Sequence, residues 1–318
     1  MMDKRVDAKK TVRILGNIVT VIAIVFIAVR LYRMRVDLSV LGTGKTIAVL
    51  ALAFVFQLLL VILSSIPWIT IVNALSGKRI RIRESLPVFT KANLYKYIPG
   101  NVFQYVGRNR LAVEKEISHV DVATATVIDT LFQLCLYLVL SLMMLGDKIV
   151  TVAGRYVHNV IVGLIVIAVV ASAAVIIVIL VVGRRAREYA MRYRDTLSSG
   201  GLRMISRSFA ITAGNCILSA VEYFICIMLV FGDEVGTGKL IMLTGAYLFA
   251  WIIGFVTPGA PGGIGVREAV MLLVCTSVNE DLVMIFVLLM RLGSVAADIA
   301  AGIIGEIVQK SCLKAKPA

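Results

Sequence analysis

The chain has 318 residues, of which 59% are hydrophobic, and its mean hydropathy is +0.94. These values lie far outside the range of soluble domains and exclude a soluble enzyme or binding module. The formal net charge of +14 comes from Lys and Arg between apolar segments, where they set membrane topology rather than bind nucleic acid. We therefore expect one integral membrane domain over residues 1–318, an all-α polytopic fold.

About six segments have the length and apolarity of full transmembrane helices. An apolar helix of about 20 residues crosses the hydrocarbon, and the runs 46–77 and 156–183 contain no Asp, Glu, Lys or Arg. The first predicted span follows a basic start and has no small-residue cleavage site after it, so we expect it to stay uncleaved. The predicted spans are 12–32, 46–72, 119–145, 157–182, 207–231 and 282–308.

Two shorter elements, 84–116 and 240–276, each contain a Pro-Gly break that is followed by an arginine. A broken helix survives in hydrocarbon only where protein or a polar cavity covers its freed backbone groups. Paired broken segments in the two halves of a membrane protein indicate a transport site. We expect two re-entrant helical hairpins, with the alternative that 84–116 is an amphipathic helix on the inner membrane surface.

The distribution of positive charge predicts the topology. With the N-terminus inside, 24 Lys and Arg residues fall in the inner segments and 6 in the outer segments, which places both termini in the cytoplasm. The order of elements in 10–145 then recurs in 157–308 with the opposite orientation. This order predicts an inverted repeat of the kind that alternating-access transporters use.

Several polar side chains fall within the predicted spans. A charge at the centre of a membrane helix costs about 2.5–3.5 kcal/mol on insertion scales, so such groups should face the protein interior. In the span 207–231 the polar residues share one helical face, which favours a water-filled cavity. For Arg291 and Asp298 the alternative is structural, with pairing to a partner and tight helix packing. The candidates for cavity ion pairs or proton coupling are Asp129, Asn215, Glu222, Arg291 and Asp298.

The two breaks supply candidates for anion binding. Helices that begin near Asn101 and Ile264 would direct free N–H groups toward a cavity. Arg108 and Arg267 follow in the first turns, and the planar arginine side chain matches a phosphate. The substrate-binding candidates are Pro99, Gly100, Asn101, Gln104, Arg108, Pro258, Gly259, Pro261, Gly262, Gly263, Gly265, Arg267 and Glu268.

Other signals of chemistry fail. The run from Gly42 to Thr46 lacks the strand-loop-helix context of a phosphate-binding loop, and the two histidines, His119 and His158, stand apart. The five cysteines have no metal spacing and fit plain packing. We find no catalytic motif, and we expect a protein that is not an enzyme and has neither a cofactor nor a metal.

Around Lys96–Gly100 with Arg108, and again at Pro261-Gly262-Gly263-Ile264-Gly265-Val266-Arg267-Glu268, the chain resembles the lysylphosphatidylglycerol synthase transmembrane-region family. This family, also called the UPF0104 group, includes the flippase domains of lysyl-lipid synthases. The resemblance extends over about residues 10–310. It implies movement of a lipid, a lipid-linked sugar or an aminoacylated phospholipid between leaflets of the cell membrane. The resemblance also implies a stand-alone member without the aminoacyl-transferase domain, which should not synthesise lysyl-lipid.

Two other functions compete with a flippase. The first is a membrane-embedded transferase acting on a lipid-linked sugar, for which Asp233 and Glu234 are the paired candidate acids. The second is an auxiliary subunit of a cell-envelope enzyme. The expected partners are membrane lipids or a lipid-linked saccharide, with a homo-oligomer or an envelope enzyme as further possibilities. The head group, the energy source, the direction and the oligomeric state are not predicted.

Overall fold

The computed structural model describes residues 44–97, 103–146, 199–232, 235–257, 261–276 and 278–314. Within these ranges the regular structure is helical, which confirms the all-α prediction. The predicted spans 12–32 and 157–182 lie outside the described residues. The helices are α1 (Gly44–Ser76), α2 (Ile82–Leu94), α3 (Phe103–Arg108), α4 (Arg110–Lys115), α5 (His119–Leu145), α6 (Ser199–Phe231), α7 (Thr237–Val256), α8 (Val266–Val274) and α9 (Glu280–Lys314).

Five of the described helices, α1, α5, α6, α7 and α9, are long and apolar enough to cross a membrane. The protein is therefore an all-α polytopic membrane protein. Four of these helices coincide with predicted spans. Helix α5 matches its predicted range, α6 begins earlier than predicted, and α1 and α9 extend beyond the prediction at both ends. Helix α5 has the predicted bounds because Ser118 caps it, accepting a hydrogen bond from the backbone N–H of Val120.

The fifth long helix, α7, differs from the prediction of a short broken element over 240–276. It has 20 residues, which is enough to cross a membrane, and it ends at the break before Pro261–Gly263. The break nevertheless lies against Arg291, which is in the first half of α9. The chain then returns through α8 to the start of α9, so the hairpin shape remains although its first arm is longer than expected.

The packing of α2 favours the re-entrant alternative for the first broken element. The Cys312 thiol contacts the Arg83 carbonyl oxygen at 3.8 Å, Lys91 pairs with Glu306 at 2.5 Å, and further along the chain Asn93 contacts Asp298. Helix α2 therefore runs antiparallel to α9, from the C-terminal end of α9 to its middle. A helix lying flat on the membrane surface would instead cross the end of α9.

Two apolar clusters form the core around the cavity described below. One cluster joins α6, α7 and α9 with parts of α1, α5 and α8, and includes Phe231, Leu243 and Phe286. The other joins the C-terminal half of α1 with α2, α4 and the start of α5, and includes Trp68 and Leu111. Helix α1 contacts α6 and α9 along much of its length.

The predicted inverted repeat over 10–145 and 157–308 stays a prediction, because the first span of each half lies outside the described residues. In what is described, each half contains a long helix, a broken element and a second long helix.

Candidate functional site

A cavity of about 250 Å³ lies where the two breaks meet α1, α5, α6, α7 and α9. Ligand pockets usually enclose roughly 300–1,000 Å³, so this cavity lies just below the usual size of a small-molecule site. Aromatic rings, including Tyr223, Tyr247 and Trp251, cover much of the wall. The charged and amide side chains in the wall are Gln57, Asn93, Lys96, Gln104, Arg108, Asp129, Gln133, Asn215, Arg267 and Arg291.

Arg108 enters the cavity from the last turn of α3. It is 8% exposed, and its guanidinium lies 4.3 Å from the centre of the Phe89 ring and 5.8 Å from that of Trp68. Its Nη1 lies 3.5 Å from a carboxylate oxygen of Asp129, at the long limit of a hydrogen bond. The buried Nε has no hydrogen-bond partner among the described residues. Arg108 therefore keeps capacity to donate to a ligand.

The residues just before the first break are fixed to the middle of α9. Asp298, which is 1% exposed, accepts hydrogen bonds from Asn93 at 2.6 Å and from the Tyr97 hydroxyl at 2.5 Å. Lys96 adds an ion pair to the same carboxylate at 2.6 Å. A buried carboxylate needs such a set of partners to stay charged. The contacts hold the turn Tyr95–Tyr97 against α9.

The second break is fixed to the same helix by Arg291. Its Nε donates to Glu268 at 2.5 Å and its Nη2 donates to the other carboxylate oxygen at 3.2 Å. Nη2 also donates to the Gly263 carbonyl oxygen at 2.6 Å, and Nη1 lies 3.4 Å from that of Gly262. These bonds satisfy carbonyl groups that the broken helix leaves free. Arg291 is therefore paired with a carboxylate, as its structural alternative expects, and its partner is Glu268, a substrate-binding candidate.

Arg267 differs from Arg291, although it lies in the first turn of α8 beside the same break. Its guanidinium lies 5.5 Å from the centre of the Trp251 ring. Its buried Nε has no hydrogen-bond partner, and no carboxylate pairs with it within the described ranges. It lies in the wall of the cavity.

The two breaks are adjacent to each other. A Cβ atom placed on Gly262 would lie 3.4 Å from the Tyr97 ring, so the turn before the first break touches the tip of the second. Arg291 and Asp298, which hold the two breaks, are seven residues apart on α9. Seven residues make about two helical turns, so both side chains project from one face. Helix α9 is the common support of the two breaks.

The polar face of α6 divides between the cavity and the core. Thr212, Asn215 and Ser219 lie in the cavity wall, whereas the Ser208 hydroxyl donates to the Pro67 carbonyl oxygen at 2.9 Å. Glu222 is fully buried behind the wall. The amide of Gln57 donates to both of its carboxylate oxygens, at 3.0 and 2.8 Å.

The structure brings most of the candidate residues together, but not all in the expected role. Gln104, Arg108, Asp129, Asn215, Gly262, Arg267 and Arg291 lie in the cavity wall. Glu222, Glu268 and Asp298 lie behind it and contact wall residues. Gly263 and Gly265 shape the second break, with φ angles of +74° and +82°. Pro99, Gly100, Asn101, Pro258 and Gly259 lie outside the described residues, as do Asp233 and Glu234, and Pro261 is described in its backbone only.

Sequence reasoning missed several neutral residues and one cation that complete the site. These are Gln57, Asn93, Lys96, Tyr97 and Trp251. Lys96 and Tyr97 belong to the motif before the first break, so their position beside Pro99 was an available signal. Gln57 is one of two amides in the long uncharged run of α1, and unlike Asn73 it lies away from the end of the helix, which also marks it.

The expected helix N-terminus at the first break is weaker than predicted, since α3 has only six residues. Cationic side chains, rather than helix ends, are the charged donors in the described wall of this cavity. Within the described residues no three His, Cys, Asp or Glu side chains lie together as metal ligands would.

The family model described as "Lysylphosphatidylglycerol synthase TM region" matches residues 14–302 of the chain. That match covers both breaks and every residue in the wall of the cavity. Among curated proteins, no match to the chain is found.

Proposed function

Because the chain belongs to the lysylphosphatidylglycerol synthase TM region family, we propose that it is a lipid flippase. It would move a lipid or lipid-linked sugar with a phosphate-containing head group between the leaflets of the cell membrane. The observation that carries this proposal is Arg267, a cation in a cavity between two broken helices with no acceptor for its Nε among the described residues.

A head-group site at this place agrees with the physics of a membrane interior. A cation in hydrocarbon is costly, so one that lacks a protein partner should face water or an anionic ligand. The cavity is polar where the breaks meet, and its volume suits a head group whose acyl chains remain outside in lipid. Arginine can donate two parallel hydrogen bonds to phosphate oxygens, which the ammonium of lysine cannot.

The breaks supply the second requirement of a flippase, which is a site that can be exposed to each side in turn. In many transporters, discontinuous helices line a central site and alternating access comes from movement of one repeat against the other. Here both breaks are held to α9 by polar contacts rather than by a continuous apolar interface. Both breaks therefore depend on the same helix for their position.

We further propose that transport involves no covalent chemistry, so the protein is not an enzyme, and that both termini are cytoplasmic. A membrane transferase needs a positioned acid or base beside the reacting group. In the part of the cavity wall that the structure describes, the carboxylate is Asp129, and it contacts Arg108. Asp129 fits an ion-pair role better than that of a free base.

The test is leaflet exchange of labelled lipids in proteoliposomes. Purified wild-type protein should accelerate exchange of at least one class among phospholipids, aminoacylated phospholipids and polyprenyl-phosphate sugars. Arg267→Ala should reduce that rate about tenfold or more, since a lost charged hydrogen bond is worth about 1.5–3 kcal/mol. The matched control is Arg203→Ala, which removes an exposed arginine of α6 that is outside the cavity. Equal rates in wild type and Arg267→Ala would refute the proposed site, and no exchange of any class would refute the flippase.

A further inference from the structure

We infer that the head group taken by this cavity is an anionic phosphate that carries a neutral, hydroxyl-bearing group and no ammonium. This inference rests on the proposed function and narrows its substrate class. It excludes aminoacylated lipids from the preferred substrates. It follows from which charges in the cavity already have partners and which do not.

Arg267 is the wall cation without a carboxylate partner among the described residues. Of the other cations in the wall, Lys96 and Arg291 are paired with carboxylates behind it, and Arg108 lies 3.5 Å from Asp129. A cation without a counter-charge attracts anions and repels an ammonium group, and the low dielectric of the surroundings strengthens both effects.

The carboxylates near the cavity are already engaged. Glu268 is bound by Arg291, with Nε and Nη2 at 2.5 and 3.2 Å. Asp298 accepts from Asn93 and Tyr97 and pairs with Lys96 at 2.6 Å. Both carboxylates lie behind the wall, so an ammonium-bearing head group would have to move Arg291 or Lys96 aside to reach them and would leave a buried protein cation unpaired, which is strongly unfavourable.

Two further carboxylates are no better placed to receive an ammonium. Both oxygens of Glu222 accept from Gln57, and this amide stands between the carboxylate and the cavity. Asp129 lies in the wall, but its distance of 3.5 Å to Arg108 means that it balances the one buried arginine beside it. If Asp129 turned to an ammonium, Arg108 would be left among the Phe89 and Trp68 rings without a counter-charge.

Two of the wall cations, unlike these carboxylates, have a buried polar atom without a partner. The Nε atoms of Arg108 and Arg267 are buried and have no acceptor in the described part of the protein. A buried donor without an acceptor is unfavourable, and more so where it is charged, so an acceptor beside either arginine would be stabilising. A phosphate with its several oxygens can accept from both arginines.

The remaining wall is neutral and can bind hydroxyl groups. Amides of Gln104, Gln133 and Asn215 offer both donors and acceptors to the cavity. Trp251 and Phe255 stack with ring centres 5.1 Å apart and both lie in the wall, giving a flat apolar surface beside these polar groups. Amides next to an aromatic surface suit a glycerol or sugar, which has hydroxyl groups on an otherwise apolar carbon frame.

The experiment measures lipid binding to the purified protein in detergent, separately from transport. The two probes are dioctanoyl phosphatidylglycerol and its lysyl ester, which differ only in the ammonium-bearing aminoacyl group. We expect phosphatidylglycerol to bind at least about tenfold more tightly, a difference of about 1.4 kcal/mol. Arg267→Gln should weaken phosphatidylglycerol binding about tenfold, whereas the exposed control Arg203→Gln should leave it unchanged.

Asp129→Asn separates the two kinds of head-group recognition. Under our inference it strengthens phosphatidylglycerol binding, because Arg108 loses its carboxylate and can take the phosphate as its counter-charge. Equal or tighter binding of the lysyl ester by the wild-type protein, lost in Asp129→Asn, would overturn the inference. Unchanged phosphatidylglycerol affinity in Arg267→Gln would also overturn it. Preferred binding of phosphatidylglycerol without leaflet exchange would refute the flippase and keep the head-group preference. Faster leaflet exchange of the lysyl ester than of phosphatidylglycerol would refute the head-group preference and keep the flippase.

Discussion

Three arginines near the breaks have the same side chain and three different environments. Arg291 donates to a carboxylate and to backbone carbonyl oxygens of the second break. Arg108 has one long contact with Asp129 and lies against aromatic rings. Arg267 contacts the Trp251 ring and has no carboxylate partner in the described ranges. Because a charge that is fully paired has little left to give a ligand, we assign Arg291 to the fold and the other two to binding.

Replacing Arg291 tests this assignment. Arg291→Leu leaves Glu268 buried without a cation and removes the donor to the Gly263 carbonyl oxygen. Loss of one partner of a buried pair costs about 3–5 kcal/mol, so the free energy of unfolding should fall by that amount. The measurement is reversible unfolding in mixed detergent micelles.

The control for Arg291→Leu is the double variant Arg291→Leu/Glu268→Leu. It removes the unpaired charge and should recover part of the lost stability. A single variant as stable as wild type would contradict a structural role for Arg291.

At the scale of elements, the second break depends on close approach between glycines. Gly263 has a φ angle of +74°, and a Cβ atom there would lie 3.0 Å from the Cα atom of Gly254 in α7. A Cβ atom on Gly254 would in turn lie 2.8 Å from Cγ of Arg267. The contact between α7 and the break therefore fixes the position of Arg267, with no room for a side chain between them.

Gly263→Ala should impair transport more than stability. The left-handed backbone costs an L-residue about 1–2 kcal/mol, and the added methyl group must push the break away from α7. We expect Gly263→Ala to lower the leaflet-exchange rate about tenfold or more, while the protein still inserts and purifies as a folded species. Gly214→Ala is the matched control, because its methyl group meets nothing within 4 Å. Full activity of Gly263→Ala would show that the break tolerates displacement of Arg267.

For the whole molecule, α9 joins the two halves of the site. Asp298 holds the residues before the first break and Arg291 holds the tip of the second. The direction of α2 beside α9 shows that the first hairpin starts near the C-terminal end of α9, and α8 leads back to the N-terminal end of α9. The two hairpins thus enter from opposite ends of α9 and meet near its middle.

This arrangement predicts which ends are exposed on each side of the membrane. In a cysteine-free background, Arg79→Cys should be labelled only from the cytoplasm and Asn279→Cys only from outside. Both residues are exposed, one before the first hairpin and one just before α9. The measurement is labelling of intact cells with a membrane-impermeant maleimide, and lysed cells are the control for reactivity. Labelling of both residues from the same side would contradict hairpins that enter from opposite sides.

The resemblance and the apolar runs were enough to predict the class of protein and four of the described long helices. The arm α7 was predicted to be shorter than it is, because the residues before Pro258 were assigned to a broken element instead of a span. The site was predicted in part, since Arg108, Arg267 and the breaks were singled out. Lys96, Tyr97 and Gln57 were missed, because a polar residue next to a break or inside a span does not reveal its partner.

The sequence by itself determined that this chain crosses the membrane, where four of its described long helices lie and that two of its elements are broken. Those properties are local, since the cost of burying a residue in lipid is summed over about 20 neighbours along the chain. Only the tertiary structure decided which charges hold the fold and which are available to a ligand. The sequence left Arg291 open between a cavity role and a structural one, and the structure pairs it with Glu268 because α8 packs beside α9. Pairing of charges depends on distance in space, and that distance is set by how the helices pack.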